Sequence, residues 1–426
     1  MKYLYNFSIY AYIALLQLAA LFHAKAKLWV NGRKNWQEKL KKSPILRTNE
    51  PTIWFHCASL GEFEQGRNLI EKIKADYPQY RILLTFFSPS GYEIRKNYAF
   101  ADEVLYLPAD TPSNARIFLE LVQPKCAFFI KYEIWLNYLE ALHRQKIPTF
   151  LVAARLRENS RFFHPLMKKL YQQAFASFTE IFTQDEITKQ LLLHFSANIK
   201  ATLSSDTRYD RVFANRLEFQ PITAIEVFTK DKICIICGSS WQTEEDMMLD
   251  IFEQLPENVV VIFAPHEIHP DKITKQIERY ARISFQYSNL KVNAQEEAPN
   301  SLKDKRILWI DNVGMLSKLY YYADISFVGG GFRNALHNIL EPATFGNVVL
   351  FGFQHQKFPE ATELMKEGGA FEIKTQNDLV GILLNLVKNQ ELRETLSKKN
   401  RSFVEKRIGA TAQILTATKK QFVDDK

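Results

Sequence analysis

At 426 residues the chain is longer than one ordinary core can serve, and it suits two α/β domains of similar size. An apolar fraction of 46% with 32 phenylalanines is enough to fill such cores and argues against long disordered stretches. The net charge of +8 at pH 7 calls for an anionic partner; with no RRM, zinc-finger or helix-turn-helix pattern beside it, a membrane surface or a phosphorylated substrate is expected and nucleic acid is not.

The segment Tyr3 to Phe22 carries no charge and is about long enough to cross a hydrocarbon core, although Asn6, Ser8 and Gln17 weaken it. Lys25, Lys27, Arg33, Lys34, Lys39, Lys41 and Lys42 follow, which puts the rest of the chain on the cytoplasmic side. The segment reads equally as a helix lying in the membrane face, and less well as a cleaved signal peptide, which wants a positive leading region.

From Pro51 apolar runs alternate with helical periodicity, the pattern of a doubly wound parallel sheet. Strands are predicted at Thr52–Ala58, Arg81–Phe87, Glu103–Leu107, Cys126–Ile130, Thr149–Ala153 and Glu180–Thr183. Ligands of such sheets bind at the carboxyl ends of the strands, and the turn Ser59-Leu60-Gly61-Glu62 aims a carboxylate there. Glu62 is either a general base or only a first-turn acid favoured by the helix dipole. Glu133 places a second acid after another strand, and Ser88-Pro89-Ser90-Gly91 suits an anion through its backbone N–H groups. Arg155, Arg157 and Arg161 concentrate positive charge, for a ligand or merely as a solvated face. Phe213–Thr229 lacks periodicity, contains Pro221 and reads as an interdomain linker.

A second α/β unit opens with Ile233–Cys237 and the turn Gly238-Ser239-Ser240-Trp241. The four cysteines lie mostly in apolar runs, as reduced thiols do; Cys234 and Cys237 have CxxC spacing, but no second pair completes a zinc site. After Val259–Phe263 comes Pro265-His266-Glu267-Ile268-His269, one residue short of the zinc-protease pattern, so a protease is excluded. Ile307–Ile310 leads to a turn at Asp311–Met315. Ile325–Val328 runs into Gly329-Gly330-Gly331, which either lets a phosphate approach the backbone or only makes a tight turn. A helix start after His337 would then turn its positive end to an anion, with Glu341 ready to accept from ribose hydroxyls. Beyond Glu372 the chain reads as helical and polar.

Taken in order, several motifs resemble those of the 3-deoxy-D-manno-octulosonic acid (Kdo) transferases. They are Gly32-Arg33-Lys34, His56-Cys57-Ala58-Ser59-Leu60-Gly61-Glu62, Ser88-Pro89-Ser90-Gly91, Glu133-Ile134-Trp135-Leu136-Asn137, Asp206-Thr207-Arg208-Tyr209-Asp210, Gly238-Ser239-Ser240-Trp241 and His337-Asn338-Ile339-Leu340-Glu341. The resemblance spans nearly the whole chain. It implies an α/β fold of GT-B type, two Rossmann-like doubly wound domains facing across a cleft with an N-terminal membrane-anchoring helix. The boundaries it suggests are an anchor over 1–27, an acceptor-binding domain with the catalytic base over 28–215, a linker over 216–229, and a CMP-sugar-binding domain with C-terminal helices over 230–426.

The implied reaction passes Kdo from CMP-Kdo to the 6′-hydroxyl of lipid IVA with inversion, at the cytoplasmic face of the inner membrane and against its anionic leaflet. Family positions make Glu62 the base, Glu133 and Arg208 the groups that stabilise the transition state, and Pro265, His266, Val313, Gly314, Met315, Asn338, Ile339, Leu340 and Glu341 the donor contacts. CMP-Kdo carries one phosphate and no Asp-x-Asp motif lies near the pocket, so no metal and no other cofactor are expected. The acceptor is expected near Arg33, Arg155 and Arg157. Four positions depart from the family pattern: Pro265 precedes His266 without the usual intervening arginine, Arg208 replaces a lysine, Ile339 replaces a proline, and Lys131 stands where an acid is common. The alternatives are a membrane-associated GT-B enzyme using a UDP-sugar, a lipid-binding scaffold without activity, and a sugar-nucleotide epimerase.

Overall fold

The computed structural model describes residues 1–47, 50–289, 302 and 304–423. The chain divides into two compact units, residues 1–210 with 408–426, and residues 211–407. The first holds seven strands: β1 (Thr52–Cys57), β2 (Arg81–Phe86), β3 (Glu103–Tyr106), β4 (Cys126–Ile130), β5 (Thr149–Ala154), β6 (Glu180–Thr183) and β7 (Ala201–Leu203). They form one sheet in the order β3-β2-β1-β4-β5-β6-β7, with every pairing parallel. Helices cover both faces, which is why β1 and β4 are buried along their whole length instead of alternating. Ile53, Phe55 and Cys57 point into one core cluster and Trp54 into the other.

The second unit repeats the plan with β8 (Ile233–Ser240), β9 (Val259–Pro265), β10 (Ser284–Gln286), β11 (Ile307–Trp309), β12 (Ile325–Val328), β13 (Val348–Gly352) and β14 (Ala370–Ile373). Their order is β10-β11-β9-β8-β12-β13-β14, again all parallel. Cys234 and Cys237 both lie on β8 but enter different core clusters. Residues three apart on a strand face opposite ways, so the CxxC spacing makes no pair, and burial raises both thiols well above the ordinary cysteine value.

Three expectations are corrected. The stretch read as a linker is helical over Thr207–Leu217 and Thr223–Thr229, and Ala224, Ile225 and Phe228 of the latter are buried in the second unit. The last segment does not stay with the second unit. Asp210 accepts from the N–H groups of Gly409 (2.5 Å) and Thr411 (2.6 Å), while Ile414 and Phe422 enter the core of the first unit. Phe422 stacks on Tyr77 at 4.8 Å. Last, no helix among the described residues is long and apolar enough to cross a membrane. The first helix, α1 (Lys2–Ala19), has 18 residues, about 27 Å at the usual helical rise, against a hydrocarbon core of about 30 Å.

Helix α1 turns its polar groups toward the first unit. Tyr5 donates to the fully buried carboxylate of Asp110 (2.5 Å), Asn137 donates to the side chain of Asn6 (2.9 Å), and Lys2 pairs with Glu140. None of its residues is buried, and Tyr3, Phe7 and Leu15 are 91%, 70% and 64% exposed. An outward-facing apolar stripe on a helix pegged by polar contacts is the reverse of an ordinary surface helix.

Candidate active site

In each sheet the chain order reverses beside the first strand, between β1 and β4 in one unit and between β8 and β12 in the other. Such switch points leave a crevice at the carboxyl ends of the strands. Both candidate groups of residues fall there.

At the β1–β4 edge, Glu62 sits in the first turn of the helix Leu60–Asp76 and is 9% exposed. Its carboxylate accepts from the Ser59 hydroxyl. Lys131, held in the left-handed region at φ 74° just after β4, brings its ammonium to 3.6 Å from the other carboxylate oxygen. Glu133 follows on the same turn, 8% exposed, and accepts from the indole N–H of Trp135 at 2.8 Å. The two acid-bearing turns thus meet through Lys131.

A buried relay lies beneath Glu133. His56 Nε2 lies 3.3 Å from the Glu133 carboxylate, and His56 Nδ1 lies 2.9 Å from the Thr85 hydroxyl, which also accepts from Trp54 Nε1 at 2.8 Å. The Thr85 hydroxyl gives its proton to the Phe55 carbonyl at 3.2 Å, so His56 Nδ1 is the donor to Thr85, and His56 Nε2 accepts from the Trp135 indole N–H at 3.1 Å. That indole N–H is shared between Glu133 and His56.

Arg208 opens the helix Thr207–Leu217, and its guanidinium donates to Asp206 at 2.8 and 3.0 Å. Thr207 donates to the carbonyl of Gln65 on the helix that carries Glu62. The turn bearing Arg208 is therefore fixed to the Glu62 helix.

At the β8–β12 edge three rings come together from three strand ends. Trp241, after β8, lies 4.6 Å from the ring of His266, which follows β9; His266 lies 4.3 Å from His337, beyond β12. Trp241 Nε1 donates to His337 Nε2 at 3.3 Å. Burial, and secondarily the neighbouring His266, pull His337 down to about 4. The exposed Arg333 lays its guanidinium over Trp241 at 4.4 Å. Asn338 accepts from the N–H of Leu340 and donates to Glu341, both at 3.1 Å.

The remaining expected donor contacts divide. Pro265 ends β9, beside the rings. Ile339 and Leu340 are buried, so only their backbone can meet a ligand. Val313 is 91% exposed, and Gly314 turns left-handed at φ 95° in front of Met315, after β11, two strands away from β8.

The glycine run has a different cause from a phosphate cradle. A Cβ on Gly329 would come within 2.1 Å of the Ser239 carbonyl, and one on Gly331 within 2.4 Å of the Gly352 nitrogen. The N–H of Gly330 already donates to the buried carboxylate of Glu244 at 2.9 Å. Close backbone packing demands these glycines. The basic residues are likewise placed otherwise than expected. Arg33 donates to the carbonyls of Leu107, Phe87 and Trp29, and Arg155 pairs with Asp185 at 3.3 Å. Trp241, His337 and Arg333 were not picked out as site residues. Their signal is position, just beyond the strands that flank the switch point.

Two parallel-sheet units, each with its crevice at the switch point, define the fold as GT-B-like. The fold matches the UDP-N-acetylglucosamine 2-epimerase of Neisseria meningitidis, solved with UDP-GlcNAc, with a TM-score of 0.56 at 16% identity, covering 86% of this chain and 99% of that one. Sequence comparison separates the family from the fold. Residues 34–211 match the family described as 3-deoxy-D-manno-octulosonic-acid transferase (kdotransferase). The 3-deoxy-D-manno-octulosonic acid transferase of Haemophilus influenzae is 27% identical over 376 residues, 86% of each chain. That of Rickettsia bellii is 27% identical over 370 residues, 84% of this chain and 85% of its own. Over most of its length the chain is thus similar to 3-deoxy-D-manno-octulosonic acid transferases.

Proposed function

We propose that this transferase takes Kdo from CMP-Kdo and places it on the 6′-hydroxyl of lipid IVA. The acceptor oxygen forms a bond to the anomeric carbon as the bond from that carbon to the CMP phosphate breaks, with inversion, and the hydroxyl proton passes to Glu62. Glu133 balances the positive charge that develops on the sugar, and Arg208 meets the anionic leaving group or the Kdo carboxylate. The donor nucleotide lies over the rings of Trp241, His266 and His337, near Asn338 and Glu341. Lipid IVA is drawn from the anionic cytoplasmic leaflet of the inner membrane, in whose face the exposed apolar side of α1 rests.

The observation that carries this reading is the pairing of Glu62 and Glu133 at one switch point, one ion-paired to Lys131 and the other held by the Trp135 indole N–H. Incubation with CMP-Kdo and lipid IVA, followed by mass spectrometry of the lipid, tests it. A mass increase of one or more Kdo residues is expected, and an unchanged lipid overturns the reading. Competition by CMP, with UDP ineffective, separates this donor from a UDP-sugar. The reaction proceeds without a metal in this reading. Loss of activity in EDTA, restored by magnesium, would refute that part.

A further inference from the structure

Within the first unit a groove of about 660 Å³ runs between α1 and the turn that carries Glu133. One wall is Leu4, Ile9 and Tyr12 of α1; the other includes Ile134, Met167 and Tyr171. Glu133 itself lines it, and Arg161 is its cation. Among the described residues no carboxylate pairs with Arg161. The volume lies in the range of small-ligand sites, but the walls are mainly hydrocarbon and aromatic ring, unsuited to a nucleotide or free sugar.

The groove also continues outward. Leu4 and Tyr12, which line it, are 59% and 43% exposed and belong to the same helix whose outer side shows Tyr3, Phe7 and Leu15. Apolar surface thus runs from the outside of α1 inward to a catalytic carboxylate. Helix α1 is held by the polar contacts of Lys2, Tyr5 and Asn6 and by the ring of Tyr12, which lies 6.4 Å from that of Phe87, and the groove stays open beside these contacts.

We propose that the groove takes one acyl chain of the lipid acceptor, withdrawn from the membrane, while Arg161 meets an acceptor phosphate. The inference rests on the lipid acceptor of the function proposed above and gives that lipid a seat beside Glu133. A methylene moved from water into the groove is stabilised, whereas one moved from the membrane gains little. The chain therefore positions the hydroxyl more than it tightens binding, as a guide for the reacting group does.

The test compares the full-length enzyme acting on lipid IVA and on the same acceptor stripped of its acyl chains. Ile9→Trp, which fills the groove, should lower kcat/KM for the acylated acceptor at least tenfold and leave the stripped acceptor within twofold, which also shows that the variant folds. Arg161→Gln should raise KM for both acceptors, with Arg161→Lys restoring it. Equal effects of Ile9→Trp on both acceptors, or no effect on either, overturn the proposal. If the stripped acceptor is too poor to assay, a benzophenone amino acid at Met167 decides. Cross-linking to an acyl chain of the acceptor is expected; cross-linking to phospholipid of the vesicle alone, or to nothing, overturns the proposal. A wild-type enzyme that transfers to neither acceptor refutes the proposed function instead.

Discussion

At the β1–β4 edge of the first sheet two carboxylates lie among a lysine, a histidine and an indole N–H; at the β8–β12 edge of the second, an indole and two imidazoles gather under an exposed arginine. The topological position is the same, and the furnishing differs. Carboxylates held by several donors can take and balance charge during a reaction, whereas ring faces with a neutral imidazole among them favour a planar ligand. The sheet order sets where a ligand lies, and the residues at the strand ends set the work done there.

The sharpest way to break this comparison is at Glu62. Glu62→Gln keeps the shape and removes the base, so turnover should fall by about 10²–10⁴-fold, the usual worth of a positioned base. CMP-Kdo affinity, measured by calorimetry, should stay within about twofold. A near-native rate would leave the first crevice without its assigned work. Trp241→Ala addresses the other side with a smaller effect. Losing one stacked ring should weaken CMP binding about tenfold, the lower part of the range for base–aromatic stacking, with kcat little changed. Should the variant bind CMP as tightly as the wild type, the rings would not be the donor platform.

The two crevices were unequally legible in the sequence. Glu62 could be read because strand, turn and helix are contiguous, and a strand buried on both faces leaves an unbroken apolar run such as Ile53 to Phe55. The ring platform could not, since Trp241, His266 and His337 follow different strands and meet only when the sheet orders them. The glycines at 329–331 read either as a ligand cradle or as a tight turn, because no pattern in the sequence reports that Ser239 and Gly352 leave no room for a Cβ there. Helix Thr223–Thr229 was missed because its core residues span barely one turn, too few for a period to show. Absence of charge in Tyr3–Phe22 suggested a span. It did not reveal that Tyr5 and Asn6 are turned inward to Asp110 and Asn137.

The smallest expected effect tests whether burial keeps water from the ring of His337 in the second crevice. In the unfolded chain His337 takes up its proton near pH 6.5, but in the folded unit only near 4, because burial and the adjoining His266 disfavour the charged ring. Between those values the unfolded chain carries a proton that the folded chain lacks. Stability from this group is therefore present above pH 6.5 and is lost as pH falls toward 4. A full proton difference is worth about 1.4 kcal/mol per pH unit, to be cut roughly by half for a ring that keeps some solvent contact. His337→Gln cannot titrate. Urea midpoints should thus fall further from pH 7 to pH 5 for the wild type than for the variant, while His266, the titratable group beside the ring, is common to both. Equal losses in the two proteins would mean that His337 titrates like a free imidazole. The ring crevice would then be open to water throughout, and the contrast with the carboxylate crevice would rest on the stacking alone.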